Sequence, residues 1–127
     1  MNIKRGDIII VDLKGALGSE QKGAKRPCLV IQNDTGNKYS GTTIVASITS
    51  KEKNVMPTHI NILNYTKFGL DEPSTILLEQ IRTIDKKRIK KKVSKVDERT
   101  MKLIDEALII NFGIDLLKIK TENKVMT

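Results

Sequence analysis

The apolar residues of this chain fall into short blocks separated by polar, glycine-bearing connections, and only towards the C-terminus does their spacing become helical. Residues 7–13 (Asp-Ile-Ile-Ile-Val-Asp-Leu), bounded by Gly6 and Gly15, read as a buried strand. A loop over 14–25 follows, freed by Gly15, Gly18 and Gly23, and residues 26–33 read as a second strand. Asn33-Asp34-Thr35-Gly36-Asn37 reads as a turn cluster that continues to Gly41. From Thr42 to Thr49, Ile44, Ala46 and Ile48 point one way while Thr43, Ser47 and Thr49 point the other with Val45, the pattern of a half-exposed strand with a polar face. Lys51 to Asn54 marks a loop closed by Pro57, Thr58 to Leu63 reads as a short strand carrying His59, and 64–73 is a connection. Ser74 to Ile84 reads as a long strand in which Ile76, Leu78, Gln80 and Arg82 alternate with Leu77, Glu79, Ile81 and Thr83. Its first half is apolar on both faces, which places it inside the sheet. Five or six such strands predict a small barrel or a strongly bent antiparallel sheet.

After Asp97 the period changes. Asp97 has the character of an N-cap with Glu98 in the first turn. Met101, Ile104, Leu108 and Phe112 make one stripe, and Leu103, Ala107, Ile110, Ile114 and Leu117 an adjacent one. Together they cover more than half of the helix surface. Such a helix is expected to pack on the sheet and to meet a second subunit, or to fill a deep groove of its own chain. Residues 1–117 read as the domain and 118–127 as a polar, frayed tail.

At 127 residues the chain has room for one domain with a true core. It holds one cysteine, Cys28, and one histidine, His59, so neither a disulfide framework nor a Cys/His zinc site is expected. The N-terminus lacks the apolar core of a signal peptide and no apolar run has membrane-spanning length, which makes a soluble cytoplasmic protein the plain reading, with no membrane partner. The net charge of +8 and pI of about 9.6 favour a polyanion or an acidic protein as partner. Aromatic residues are too few for a base-stacking platform. Seven of the cations crowd into Lys86–Lys95, as Lys86, Lys87, Arg88, Lys90, Lys91, Lys92 and Lys95. Two readings fit this run: a charged edge that discourages aggregation, or a surface that attracts phosphates.

No nucleophile elbow, phosphate loop, dinucleotide fingerprint or metal-ligand spacing is present. Asp7 and Asp12 read as solvated strand ends. What the residues do support is chemistry by cations and hydroxyls on a phosphodiester. RNA brings its own nucleophile, the 2′-hydroxyl, so a protein need only orient it, stabilise charge on the non-bridging oxygens and assist proton transfer. Pro27 restricts the backbone of Arg26 at a loop–strand junction, and a guanidinium matches phosphate bidentately. Thr49 can donate a hydroxyl to the same phosphate. Arg26 is a poor base, so Glu20 is the more natural general base, with His59 second.

Lys4-Arg5-Gly6-Asp7, Gly18-Ser19-Glu20-Gln21, Arg26-Pro27, Val30-Ile31-Gln32-Asn33-Asp34, Pro57-Thr58-His59 and Leu78-Glu79-Gln80-Ile81-Arg82-Thr83-Ile84-Asp85 follow one another in an order and spacing that resembles the MazF/PemK family of toxin ribonucleases, its Gram-positive branch most, over roughly residues 3–115. The resemblance implies a mainly β, SH3-like small barrel of the MazF/CcdB type with a C-terminal α-helix, forming a homodimer. It implies metal-independent, cofactor-free, sequence-specific cleavage of single-stranded RNA such as mRNA, leaving a 2′,3′-cyclic phosphate (or 3′-phosphate) and a 5′-hydroxyl. Arg26 and Thr49 match the family's catalytic pair, and Ser19, Glu20, Gln21, Glu79 and Gln80 match residues implicated in RNA contact, with His59 along the same groove. The implied partner is an acidic, MazE-like antitoxin whose flexible segment blocks the RNA groove, the complex binding DNA. The loop before Arg26 (Gln-Lys-Gly-Ala-Lys-Arg-Pro) is longer and richer in lysine than the usual Gln-Gly-Gly-Val-Arg-Pro type, which bears on target sequence rather than chemistry. A non-catalytic inhibitor of DNA gyrase on the same fold, as in CcdB-type relatives, and a plain RNA-binding module are the alternatives.

Overall fold

Six strands, β1 (Asp7–Asp12), β2 (Lys25–Val30), β3 (Thr42–Thr49), β4 (His59–Ile62), β5 (Ser74–Asp85) and β6 (Ile89–Lys95), pair into one antiparallel sheet in the order β4-β5-β3-β2-β1-β6. The computed structural model describes residues 2–14, 25–51, 54–119 and 124–125. The sheet is mainly β with a C-terminal helix, as expected, but it is bent rather than closed: β4 and β6 remain edges. β5 is interior, flanked by β4 and β3.

Two helices complete the chain, α1 (Asp34–Tyr39) and α2 (Glu98–Phe112). α2 begins where its cap was expected. The Asp97 carboxylate accepts from the Thr100 amide at 2.8 Å and from Lys67 Nζ at 2.8 Å. These bonds, the lysine's first, hold its carboxyl well below the usual carboxylate range. Gly113, at φ 64°, ends the helix in the left-handed conformation. α1 corrects the sequence reading, which had a turn at 33–37. Asn33 caps it by accepting from the Gly36 amide at 2.8 Å. The buried Asn37 then fixes it to the sheet, donating to the Gln32 carbonyl at 2.9 Å and accepting from the Thr43 hydroxyl at 2.7 Å. Thr43 is therefore fully buried, and the outer face of β3 is polar without being exposed at that end. β2 also stops at Val30, short of the predicted 33, because the chain turns into that cap.

The sheet has two different faces. Ile8, Leu29, Ala46, Ile48, Ile62, Ile76 and Leu78 pack with Ile104 and Ala107 of α2 into the larger core. Ile9, Val11, Cys28, Val30, Val45 and Ile84 form a smaller core on the opposite face. Within α2 the first predicted stripe is mostly buried, with Met101, Ile104 and Leu108 on the core, but Phe112 is exposed. Of the second, Leu103 and Ile110 are exposed and Ala107 is covered, while Ile114 and Leu117, expected on the helix and also exposed, fall beyond its end at Gly113.

One irregularity overturns the alternation expected for β5. Between Ala46 and Ser47, β3 advances by one residue while its partner positions in β5 jump from Ile81 to Leu77. Leu78, Glu79 and Gln80 occupy that step, a bulge of the kind that re-aims side chains. Beyond it the phase is inverted. Ile81 joins the core under α2, while Arg82 and Ile84 turn to the other face, where a regular strand would have placed them with Ile76 and Leu78.

Two features of the sequence prove architectural. Asp7 is not a solvated strand end: it is 1% exposed, accepts from the Lys4 amide at 2.7 Å and pairs with Lys92 at 3.2 Å. Gly69, at φ 69°, sits so close to β6 that a Cβ would lie 2.4 Å from a Val93 methyl. The tightly packed Gly69 thus keeps the 65–68 turn against the basic edge strand. The run 86–95 itself is a 3₁₀ turn followed by β6, whose Ile89 and Val93 face the two cores.

Candidate functional site

The face opposite α2 divides into an apolar end, closed over by the smaller core, and a polar end at the tips of β2, β3, β5 and β4. Cys28 of β2 lies across from Ser47 of β3, and an antiparallel register continued by two residues would point Arg26 towards Thr49. Directly opposed positions on one face have Cβ atoms about 5 Å apart. Arg26 shares the face of Cys28 and Val30, and Thr49 that of Val45, by strand alternation. Thr49 is opposite Thr75, and Thr75 opposite Asn61, a row across three strands whose extension into β2 falls at Arg26. Ser47, Leu77 and His59 form the next.

Arg26 is exposed and makes no ion pair among the described residues, which leaves its whole fork available. Thr49 Oγ1 accepts from the Lys51 amide at 3.2 Å. That bond occupies a lone pair and leaves the hydroxyl proton to donate elsewhere. Thr75 donates to Asn61 Oδ1 at 2.9 Å, which braces the neighbouring strand.

His59 and Glu79 meet at the same end. His59 Nε2 is 2.7 Å from Glu79 Oε2, and Nδ1 is 2.9 Å from the Asn54 carbonyl oxygen. Both partners are acceptors, so both bonds form only when the ring carries two protons. Glu79 follows Leu77, the partner of His59, by two residues, so strand alternation puts it on the face of His59. Partial burial raises the Glu79 carboxyl, but the bond from His59 and its charge outweigh that, and the group lies below its ordinary value. The buried Thr58 hydroxyl pulls the same way without reaching hydrogen-bond geometry. A histidine engaged at both nitrogens is held in place, its ring fixed between the Glu79 carboxylate and the Asn54 carbonyl oxygen. Gln80 is exposed beside them. Ser19, Glu20 and Gln21, expected at this site, lie outside the described residues. Cys28, beside the row, is 1% exposed and burial pushes its thiol up to about 12 against a small opposing pull from Arg82. It is chemically quiet.

Thr75 and Asn61 were not singled out by sequence, although the alternation of Thr58–Leu63 puts Asn61 on the face of His59. Among the described residues no three His, Cys, Asp or Glu side chains gather as a metal site, and no helix is long and apolar enough to cross a membrane.

A family model for the PemK-like, MazF-like toxins of type II toxin-antitoxin systems matches residues 4–112. The chain belongs to the MazF/PemK family. Solved structures agree in fold. An endoribonuclease in complex with its cognate antitoxin from a mycobacterial species superposes at TM-score 0.70 with 20% identity, over 89% of this chain and 97% of that one. The Mycobacterium tuberculosis toxin MazF-mt6 gives 0.71 at 19% identity, over 86% and 98%. A MazE–MazF structure from Deinococcus radiodurans gives 0.72 at 16% identity, over 91% and 99%. The MazF/PemK membership thus rests on the sequence match, and the bent six-stranded sheet with its terminal helix is the fold these toxins share.

Proposed function

We propose that this MazF/PemK chain is the toxin of a type II toxin-antitoxin pair and acts as a metal-independent, sequence-specific endoribonuclease on single-stranded RNA in the cytoplasm. What supports this reading is an arginine without an ion pair among the described residues and a threonine hydroxyl with its proton free, on adjacent strands whose register, continued, brings them together. The substrate's 2′-oxygen attacks the adjacent phosphorus while the bond to the 5′-oxygen breaks. The products are a 2′,3′-cyclic phosphate, open to hydrolysis to a 3′-phosphate, and a 5′-hydroxyl. Arg26 binds the non-bridging oxygens as negative charge grows there, and Thr49 donates to one of them. Glu20 takes the 2′-hydroxyl proton, and the leaving 5′-oxygen is protonated by water. Ser19, Gln21, Gln80 and the His59–Glu79 pair line the path of the strand, where they hydrogen-bond unstacked bases.

A MazE-like acidic antitoxin suits a chain of net charge +8, and the exposed Leu103, Ile110, Phe112 and Ile114 of the α2 region suit a homodimer interface. The test is incubation of the purified protein with a long RNA in EDTA. Discrete fragments are expected, falling by at least 100-fold in Arg26→Ala. Arg26→Lys should restore little, since an ammonium cannot fork onto two oxygens. Intact RNA across many sequences would return the chain to the gyrase-inhibitor or plain RNA-binding reading.

A further inference from the structure

We propose that Arg82 is a second phosphate-binding residue, which holds the backbone of the same single-stranded RNA at a phosphate away from the one that Arg26 and Thr49 engage. This rests on the endoribonuclease reading and extends it. Three arginines of the chain are half-buried: Arg5, Arg82 and Arg88. Two serve the fold. Arg5 donates through Nε to the Ile31 carbonyl at 2.8 Å and pairs with Asp105 at 2.8 Å. Arg88 donates through Nη1 to the carbonyls of Lys14 at 2.9 Å and Asp12 at 3.2 Å, tying the end of β5 to the end of β1. Arg82 has neither a carbonyl nor a carboxylate among the described residues. Withdrawing a guanidinium partly from water without a partner is unfavourable, and such groups are normally paired.

Its surroundings form a recess. A groove of about 390 Å³ is lined by Leu13, Ile84, Arg82, Asp85 and Arg88 among others. Among the described lining residues Asp85 is the one carboxylate against two arginines, and its Oδ1 accepts from the Lys87 amide at 2.8 Å. The β5 bulge decides which face Arg82 reaches. Opposite Val45, it shares the face of Arg26 and Thr49, and at about 3.3 Å per residue Val45 lies roughly 13 Å along β3 from Thr49. Val30 and Val45, between Arg82 and that pair, are enclosed, so the phosphate that Arg82 would hold is a separate one, reached beyond that core and not over it. A guanidinium with its fork open, at that remove and on that face, fits a phosphodiester.

The experiment compares wild type, Arg82→Gln, Arg82→Lys and Lys102→Gln, the last a neutralised lysine on α2. Affinity for a 2′-O-methylated oligoribonucleotide, which lacks the nucleophile, is measured against salt concentration, and cleavage kinetics are run on ordinary RNA. Arg82→Gln should weaken binding roughly tenfold and flatten the log–log salt slope by about 0.7, one phosphate's share on a single strand. KM should rise with kcat kept, Arg82→Lys should recover the slope, and Lys102→Gln should change neither. An unchanged slope in Arg82→Gln, or an equal change in Lys102→Gln, would overturn the proposal while leaving wild-type cleavage, and the reading it supports, intact. So would Arg82→Gln that binds RNA normally but loses a poly-glutamate peptide, which would assign the groove to an acidic protein. A wild-type protein that cuts no RNA fails the endoribonuclease reading itself.

Discussion

β3 carries two surfaces on one backbone. Ile44, Ala46 and Ile48 lie in or against the core under α2, while Thr43, Val45, Ser47 and Thr49 face the other side, where burial gives way to solvent towards Thr49. The first surface is held by shape and apolar area. The second is held by hydrogen bonds at one end and left open at the other. Their difference shows how a small sheet can present a hydroxyl and a guanidinium in fixed register without a rigid loop: the strand that aims Thr49 is anchored from behind by the packing of its alternate residues.

The sharpest way to separate the two surfaces is to damage each alone. Ile104→Ala removes a fully buried side chain from the covered side and should cost about 2–5 kcal/mol of unfolding free energy. A urea titration should show the loss, and the fraction that remains folded should cleave RNA at the wild-type rate. Unchanged stability would mean that α2 contributes little to holding β3. Thr49→Val makes the converse change. It keeps a β-branched strand residue and removes the hydroxyl, so kcat should fall about 100-fold with little change in the thermal midpoint. A rate near wild type would remove Thr49 from the chemistry.

The smallest effect concerns acid. Glu79 lies below its ordinary value of 4.5, so its carboxylate stabilises the fold at and above that value. The contribution fades as pH falls through the lowered folded-state value. The urea-midpoint difference between wild type and Glu79→Gln should therefore be largest near neutrality and shrink in acid. A difference independent of pH would mean that the His59–Glu79 contact does not bias folding. Glu79 remains partly exposed, so solvent screening keeps the effect small.

Much of this arrangement was legible in the residues. Asp97 announced the start of α2, the β-branched blocks announced the strands, and the alternation in Thr42–Thr49 assigned both faces of β3. Arg26 and Thr49 were named from their chemistry and again from the resemblance, and the β2–β3 pairing stops at Cys28 and Ser47, two residues short of them. The misses have physical causes. α1 is a six-residue helix containing glycine and threonine, poor formers that no local signal favours. It stands because the side chains of Asn33 and Asn37 reach backbone and Thr43 across sequence. Asp7 looked like a solvated end because nothing local tells that Lys92 will lie beside it. The bulge at Leu78-Glu79-Gln80 has no glycine to mark it, and a single slip of phase sent Arg82 to the wrong face on paper.

Cys28 adds a consequence of a different kind. Its thiol lies beside Arg26 and Thr49, almost wholly enclosed and pushed up to about 12, so as folded it offers an alkylating reagent neither access nor thiolate. Its strand pairs with β1 and β3, and its side chain sits in the smaller core, so opening of that core exposes it. The chain thus holds a built-in clock: the speed at which its one thiol is capped measures how often the middle of the sheet opens, beside the residues that are aimed at the phosphate.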